Sequence, residues 1–211
     1  MTLEAIIQTI NDEFSAKAAV RDATLARSRQ LIKHCANAIR ATHRREPDTA
    51  DALLRQADTI AAEMVSDAKQ YPDIYFAGYT QDALKELSEA HLTRALILNS
   101  PLPTPQSLGV ESAAYVNGLA ETVGELRRYA LDSLRRGDVS ASETMLDLMD
   151  EIYTMLITVD FPSAITRDLR RKTDVARSIL ERTRGDVTTA IRQEEMKTAM
   201  AAFEERVAAL E

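Results

Sequence analysis

Hydrophobic side chains recur every three or four positions along almost the whole chain, without a sustained alternation of polar and hydrophobic residues. This periodicity is typical of amphipathic helices rather than of strands. Helix-breaking residues are few, and they stand at Pro47, Pro72, Pro101, Pro103, Pro105, Gly137 and Pro162. The segments between them predict six main helices, at about 2–45, 49–70, 73–99, 107–136, 141–160 and 164–207, the third with a break near Gly78.

These segments favour an all-α fold. The simplest arrangement is a single domain over residues 1–211, an antiparallel bundle of about six or seven helices. The low content of glycine and proline, 6 of each, agrees with a helical chain. Ser140 and Glu143 match a capping box, which predicts that one helix begins just after Gly137 and Asp138.

The first predicted helix carries two stripes, one apolar and one basic. At about 100° per residue, the apolar stripe consists of Leu3, Ile7, Ile10, Phe14, Leu25, Ile32, Cys35 and Ile39. The basic stripe beside it consists of Arg29, Lys33, Asn37, Arg40 and Arg44. The simpler interpretation of the basic stripe is a solvated face whose cations lie near a helix C-terminus. The alternative is a strip that contacts the phosphates of a nucleic acid.

The composition, 45% hydrophobic and 28% charged, is that of a soluble globular protein and argues against disorder. Cys35 is the single cysteine, which excludes an intramolecular disulfide and fits a reducing compartment. Its place on the apolar stripe favours a buried structural thiol over a nucleophile. The N-terminal segment MTLEAIIQTINDEF has no feature of a signal or transit peptide. We therefore expect a cytoplasmic protein.

Two segments each place two glutamates about one helical turn apart. Glu86 and Glu89 lie in KELSEAHL, and Glu121 and Glu125 lie in GLAETVGELRR. Each pair shares a helix face and stands among apolar residues. If the two helices pack together, four carboxylates converge, and their repulsion needs a compensating charge. Mg²⁺ or Mn²⁺ would supply it, since both prefer oxygen ligands and can activate water for phosphodiester hydrolysis.

Two other interpretations of the acids stay open, and a third is set aside. The pairs fit a solvated helix face with Lys85, Arg127 or Arg128 as ion-pair partners. All-α nucleotide pyrophosphohydrolases also hold Mg²⁺ with two acid pairs, although their second pair has ExxD spacing. A ferritin-like di-iron site requires Glu-x-x-His, and His91 does not share a face with Glu86 and Glu89, so that class is set aside.

Three segments in order resemble the translin/Trax family, Trax being translin-associated factor X. The most specific is YVNGLAETVGELRRYALDSLRRGD, residues 115–138, with its Gly-Glu-Leu and closing Gly-Asp. ALKELSEAHLTRALI, residues 83–97, is similar to the acidic helix of Trax, and LRRKTDVARSILERTRGD, residues 169–186, is similar to the last family helix. The resemblance covers roughly residues 70–190, and the N-terminal third matches mainly by its long amphipathic helix.

The resemblance implies an RNA-binding oligomer that cleaves its substrate. Translin binds single-stranded nucleic acid, whereas Trax is the Mg²⁺-dependent endoribonuclease of the mixed complex. Glu86, Glu89, Glu121 and Glu125 fall on the metal-binding and catalytic acids of Trax, with Glu121 in place of the usual aspartate. The family fold is an all-α bundle that assembles into a hollow octamer, with nuclease sites facing inward.

The implied substrate is single-stranded RNA, with single-stranded DNA as a second candidate. An acidic chain of net charge −7 can bind it if the basic residues line the inside of the shell. The candidates for nucleic-acid contact are Arg29, Lys33, Arg40, Arg44, Arg94 and Arg128. The alternatives are a translin-like oligomer that binds without cutting, a purely structural oligomer, and a nucleotide pyrophosphohydrolase. The partner in the shell is a second copy of this chain or a translin paralogue.

Overall fold

A computed structural model describes residues 2–209, and these residues form helices without a β-strand. The predicted all-α class is therefore confirmed. Six helices are long and three are single turns within the described residues. They are α1 (Leu3–His43), α2 (Pro47–Ala68), α3 (Pro72–Tyr75), α4 (Gly78–Ile97), α5 (Pro105–Leu108), α6 (Ser112–Arg135), α7 (Val139–Leu156), α8 (Ser163–Thr166) and α9 (Leu169–Ala208).

Contacts between residues divide the chain into two compact units, one up to Leu119 and one from Ala120 onward. The first unit is built on α1, which packs along α2 and α4. Its core consists of side chains from these helices and from α3, including Leu31, Met64, Ile74, Leu84 and Leu87. Alanines at Ala57, Ala61, Ala83 and Ala90 are also buried, and small side chains let helix axes approach closely.

The second unit comprises the rest of α6 together with α7, α8 and α9. Helix α9 packs against α7 and α8. The largest fully buried side chains of this unit include Val123, Leu126, Met149, Leu169 and Leu180. The boundary between the units falls within α6, which is one continuous helix from Ser112 to Arg135.

One predicted helix break is confirmed, and two predicted helix starts need correction. The break near Gly78 is confirmed, because α3 ends at Tyr75 and α4 begins at Gly78. The helix expected from 107 begins at Ser112, after Gly109 ends the single turn α5 with φ of 65°. The helix expected from 164 is divided at Arg167, whose φ is 57°. A residue in the left-handed region stops a helix because its carbonyl leaves the helical direction.

The predicted capping box at Ser140 is wrong by two residues. Asp138 caps α7, since its side chain accepts a hydrogen bond of 3.0 Å from the backbone N–H of Ala141. The helix nevertheless begins directly after Gly137 and Asp138, as expected. Aspartate is as good an N-cap as serine, and here it lies closer to the left-handed Gly137.

The apolar stripe of α1 is covered only along the second half of the helix. Cys35 and Ile39 are buried, whereas Leu3 is 76% and Phe14 66% exposed. Helix α1 has 41 residues, but its neighbours α2 and α4 have 22 and 20, so they can cover only about half of it. Burial raises the pKa of the Cys35 thiol, and the nearby carboxylates of Glu86 and Asp58 raise it further. The prediction of a buried thiol is confirmed.

Across the described residues, no helix combines the length and the apolar character that crossing a membrane requires.

Candidate metal centre

Helix α4 presents two acids from a largely buried segment. Glu86 is half-buried and Glu89 is only 9% exposed, and Leu84, Leu87 and Ala90 around them are buried. A buried carboxylate is costly unless a cation or several hydrogen-bond donors compensate it. Glu86 and Glu89 are therefore less exposed to solvent than an ordinary pair of glutamates on a helix surface.

Gly118 brings the first turns of α6 against the backbone of α4. A Cβ added at Gly118 would lie 2.7 Å from the carbonyl oxygen of Lys85, 2.9 Å from Cβ of Ser88 and 3.0 Å from the amide nitrogen of Glu89. Only glycine allows so close an approach of two helices. The contact falls on the turn of α4 that carries Glu86 and Glu89.

The register of α6 then determines where the second acid pair lies. Gly118, Glu121 and Glu125 are three and four residues apart along one continuous helix, so they share a face. Glu86, Glu89 and Glu121 each offer a carboxylate oxygen, and these oxygens lie within 4.8 Å of one another. These three acids could therefore hold a metal ion.

Glu125 is the fourth predicted acid and is not in this group of three. It lies one turn beyond Glu121 on α6 and is half-buried. The structure thus brings three of the predicted acids together, and the fourth lies one turn beyond Glu121 on α6. Metal binding by all four remains a prediction.

The donor set of the group fits a hard divalent cation. Its three ligands are all carboxylates, without histidine or cysteine. Oxygen-only sites prefer Mg²⁺, Mn²⁺ or Ca²⁺ over Zn²⁺ and copper. His91, the nearest histidine in sequence, instead contacts Asp58 of α2, with 2.7 Å between Nε2 and Oδ1. This agrees with setting the di-iron class aside.

Two lysines neutralise two of the acids. Nζ of Lys85 lies 3.0 Å from Glu86, and Nζ of Lys172 lies 3.1 Å from Glu121. The lysine side chains are only 14% and 12% exposed, so both pairs are better shielded from water than typical surface ion pairs. Lys85 was among the ion-pair partners expected from the sequence. Arg127, another of them, pairs with Asp186 and donates to Thr183.

The six basic candidates occupy different environments. Arg29, Lys33 and Arg40 are exposed on α1, Arg44 is exposed directly after its last residue, and Arg128 is exposed on α6. Arg44 binds Glu46 through two hydrogen bonds of 2.8 Å, which lower the pKa of that carboxyl, and Arg40 donates to Asn37. Arg94 pairs with Asp51 of α2 beside a cavity of about 260 Å³ that His91 and Asp58 also line. Arg94 is therefore engaged with α2.

Comparison with known proteins gives the family. The family model described as "Translin family" matches residues 74–184, more than half of the chain. The chain belongs to the Translin family. Its matched region contains all four acids.

Solved structures resemble this Translin-family chain over nearly its full length. The structure of AfC3PO in complex with duplex RNA is 34% identical, with a TM-score of 0.82, and the match covers 89% of this chain and 97% of that one. AfC3PO alone gives 34% identity and a TM-score of 0.81 with the same coverage. The apo form of NeC3PO has a TM-score of 0.81 at 20% identity, covering 90% of this chain and 98% of that one, which supports the fold alone.

A sequence relative comes from Methanocaldococcus jannaschii. This uncharacterised protein is 29% identical over 178 residues, which is 83% of the present Translin-family chain and 78% of the relative. The relative adds no function, but its similarity extends over most of both chains.

Lys172 is the residue near the acids that sequence reasoning did not assign to the site. It lies in the segment 169–186 that carries part of the family resemblance, but its distance in sequence from Glu121 gives no periodic signal. Only the fold of this Translin-family chain shows the contact between α9 and α6.

Proposed function

We propose that this Translin-family chain is a Trax-like, Mg²⁺- or Mn²⁺-dependent endoribonuclease that binds and cleaves single-stranded RNA. The observation that carries the proposal is the group of Glu86, Glu89 and Glu121, whose oxygens lie within 4.8 Å of one another. Lys85 and Lys172 compensate Glu86 and Glu121, but three carboxylates at this spacing still outnumber the two cations, and a divalent cation would relieve the remaining repulsion. The RNA complex of AfC3PO, a structure 34% identical to this chain, supports RNA as the ligand class.

We propose the following roles for the acids of α4 and α6. Glu86, Glu89 and Glu121 would hold the ion, and a bound ion of this kind supplies charge stabilisation at the phosphate and an activated water. Glu125, one turn beyond Glu121, accepts the proton of the attacking water as general base. The water oxygen forms a bond to phosphorus, the bond from phosphorus to the leaving sugar oxygen breaks, and that oxygen takes a proton from solvent.

The test uses purified chain and 5′-labelled single-stranded RNA, with Mg²⁺ or with EDTA. Internal cleavage that requires Mg²⁺ supports the nuclease. Intact RNA that is bound without metal, with an affinity that falls steeply with salt, would establish a translin-like binding protein instead. Nucleoside triphosphates are offered in parallel, because release of pyrophosphate would favour a nucleotide pyrophosphohydrolase. Labelled duplex RNA and single-stranded DNA, tested in the same way, define the preferred strand.

The exposed basic side chains of α1 are the proposed RNA contacts. Replacing Arg29, Lys33 and Arg40 together with glutamine is expected to reduce the slope of log affinity against log salt by about 2, since each phosphate contact contributes roughly 0.7 for single strands. Affinity for RNA should be measured in EDTA between low and moderate salt by fluorescence anisotropy. A triple variant at Arg182, Arg184 and Arg192 of α9 controls for net charge. An equal change of slope in the two triple variants would show that these α1 side chains do not contact the RNA.

We also propose that the chain works as an oligomer, either of itself or with a translin paralogue, in the cytoplasm. Exposed apolar stripes support association. On α1 the stripe consists of Leu3, Ile7, Ile10 and Phe14, and on α9 it consists of Met196, Met200, Phe203 and Val207. Both have the alternating spacing of three and four residues that helices use to pack against other helices.

Charge on the α1 stripe should therefore dissociate the oligomer. Replacing Ile7 and Phe14 with aspartate is expected to shift the mass measured by light scattering toward the monomer, because charged groups cannot be buried in an apolar contact. The matched control places aspartate at Thr9 and Ala16, which are exposed on the same helix outside the stripe. An unchanged mass in the Ile7 and Phe14 variant would show that this stripe is not an interface.

A further inference from the structure

Lys172 holds Glu121 in an ion pair that is shielded from water. The side chain of Lys172 is 12% exposed and that of Glu121 is 31% exposed, with 3.1 Å between Nζ and the carboxylate oxygen. A lysine ammonium is strongly hydrated, and burying it is unfavourable unless a carboxylate lies beside it. The fold therefore places a positive charge beside Glu121, one of the three acids that could hold a metal.

We infer that Lys172 is a positioning residue that competes with the divalent ion for the carboxylate of Glu121. The inference rests on the proposed metal site. Glu121 has two carboxylate oxygens, and Lys172 occupies one of them. An ion bound to the other oxygen lies within a few ångströms of the ammonium, so their like charges repel. Lys172 thus keeps Glu121 compensated before metal binds and lowers the affinity of the site for metal.

Lys85 is less suitable than Lys172 for testing this competition. It is adjacent in sequence to Glu86, with which it forms its pair at 3.0 Å, and it lies at the close contact with Gly118. A substitution there would alter the packing of α4 and α6 as well as the charge. Lys172, on the separate helix α9, allows the charge to be changed away from that contact.

The test measures Mg²⁺ binding to the metal-free protein without RNA, by calorimetry and by the rise of the melting temperature with metal concentration. Lys172→Met keeps the length of the side chain and removes the charge, and Lys172→Gln keeps a polar end. Both are expected to lower the Kd for Mg²⁺ on the order of tenfold. Lys172→Arg keeps the charge and should bind Mg²⁺ as the wild type does.

Arg184→Met is the matched control. It removes the same charge from the same helix, where Arg184 forms an exposed pair of 2.7 Å with Asp150, and it should leave the Kd for Mg²⁺ within about twofold. Wild-type protein that binds Mg²⁺, with equal or weaker binding in both uncharged variants, would overturn the competition and leave the metal site intact. If the wild type binds no metal and the variants bind none, both the site and the inference are overturned.

Discussion

Replacing Gly118 with alanine is expected to lower the melting temperature by about 2–8 °C. The new Cβ would lie 2.7–3.0 Å from the carbonyl oxygen of Lys85, Cβ of Ser88 and the amide nitrogen of Glu89. None of these atoms is the end of a flexible side chain, so the two helices must move apart. Such overpacking costs about 1–3 kcal/mol, of which the better helix propensity of alanine offsets up to about 1 kcal/mol. Differential scanning calorimetry in EDTA measures the change.

Gly124→Ala, on the same helix, is expected to have the opposite effect on stability. A Cβ added at Gly124 meets no heavy atom within 4 Å, so alanine there gains helix propensity without a clash. Gly124→Ala should raise the stability by about 0.5–1 kcal/mol. The two substitutions are chemically identical, and only the contact with α4 distinguishes them. Equal effects on melting temperature would show that α6 does not approach α4 at Gly118.

Gly118→Ala should also weaken the proposed metal site. Glu121 lies one turn beyond Gly118 on α6, and a shift of this turn away from α4 separates it from Glu86 and Glu89. A shift of a few tenths of an ångström is a large change for a cation such as Mg²⁺, which requires near-ideal octahedral geometry. Gly118→Ala should therefore reduce the Mg²⁺-dependent rise of the melting temperature, whereas Gly124→Ala should retain it.

The helical periodicity predicted the long elements well, and the errors fall where single residues control the backbone. Gly109 and Arg167 both have positive φ and end the single turns α5 and α8. Arginine rarely adopts a positive φ, so the residue type at Arg167 did not predict that the helix is divided there. The apolar stripe of α1 was visible, but periodicity cannot say which half of a long helix its shorter neighbours will cover.

The four acids of the candidate site could be predicted from the sequence, whereas the roles of Lys172 and Gly118 beside them could not. Spacing on two helices identified Glu86, Glu89, Glu121 and Glu125, because residues on one helical face are a local property. The contact between Lys172 and Glu121 depends on how α9 packs against α6, which is a property of the tertiary fold. Gly118 was recognisable as a glycine within a helix, but the sequence does not show what its missing side chain makes room for.

The second large effect is expected at Glu89, the most deeply buried acid of the group. Glu89→Gln keeps the size of the side chain and removes its charge. Because Glu89 is only 9% exposed and shares the group with Glu86 and Glu121, the variant should lose both the Mg²⁺-dependent rise of the melting temperature and RNA cleavage. Circular dichroism at low temperature should show unchanged helix content, so that loss of the fold is not the cause.

Glu125→Gln separates metal binding from proton transfer. Glu125 lies outside the group of three, so its variant should retain the Mg²⁺-dependent stabilisation while cleavage of labelled RNA falls by about 10²–10⁴-fold, the range typical of a lost general base. Glu143→Gln, at an exposed acid on α7, is the charge-matched control and should cleave like the wild type. If Glu125→Gln also abolishes metal stabilisation, Glu125 is a metal ligand and the general base lies elsewhere. If Glu89→Gln retains full cleavage, the acids on α4 do not form the reaction centre, because a nuclease that depends on a divalent ion cannot lose a buried ligand without losing rate.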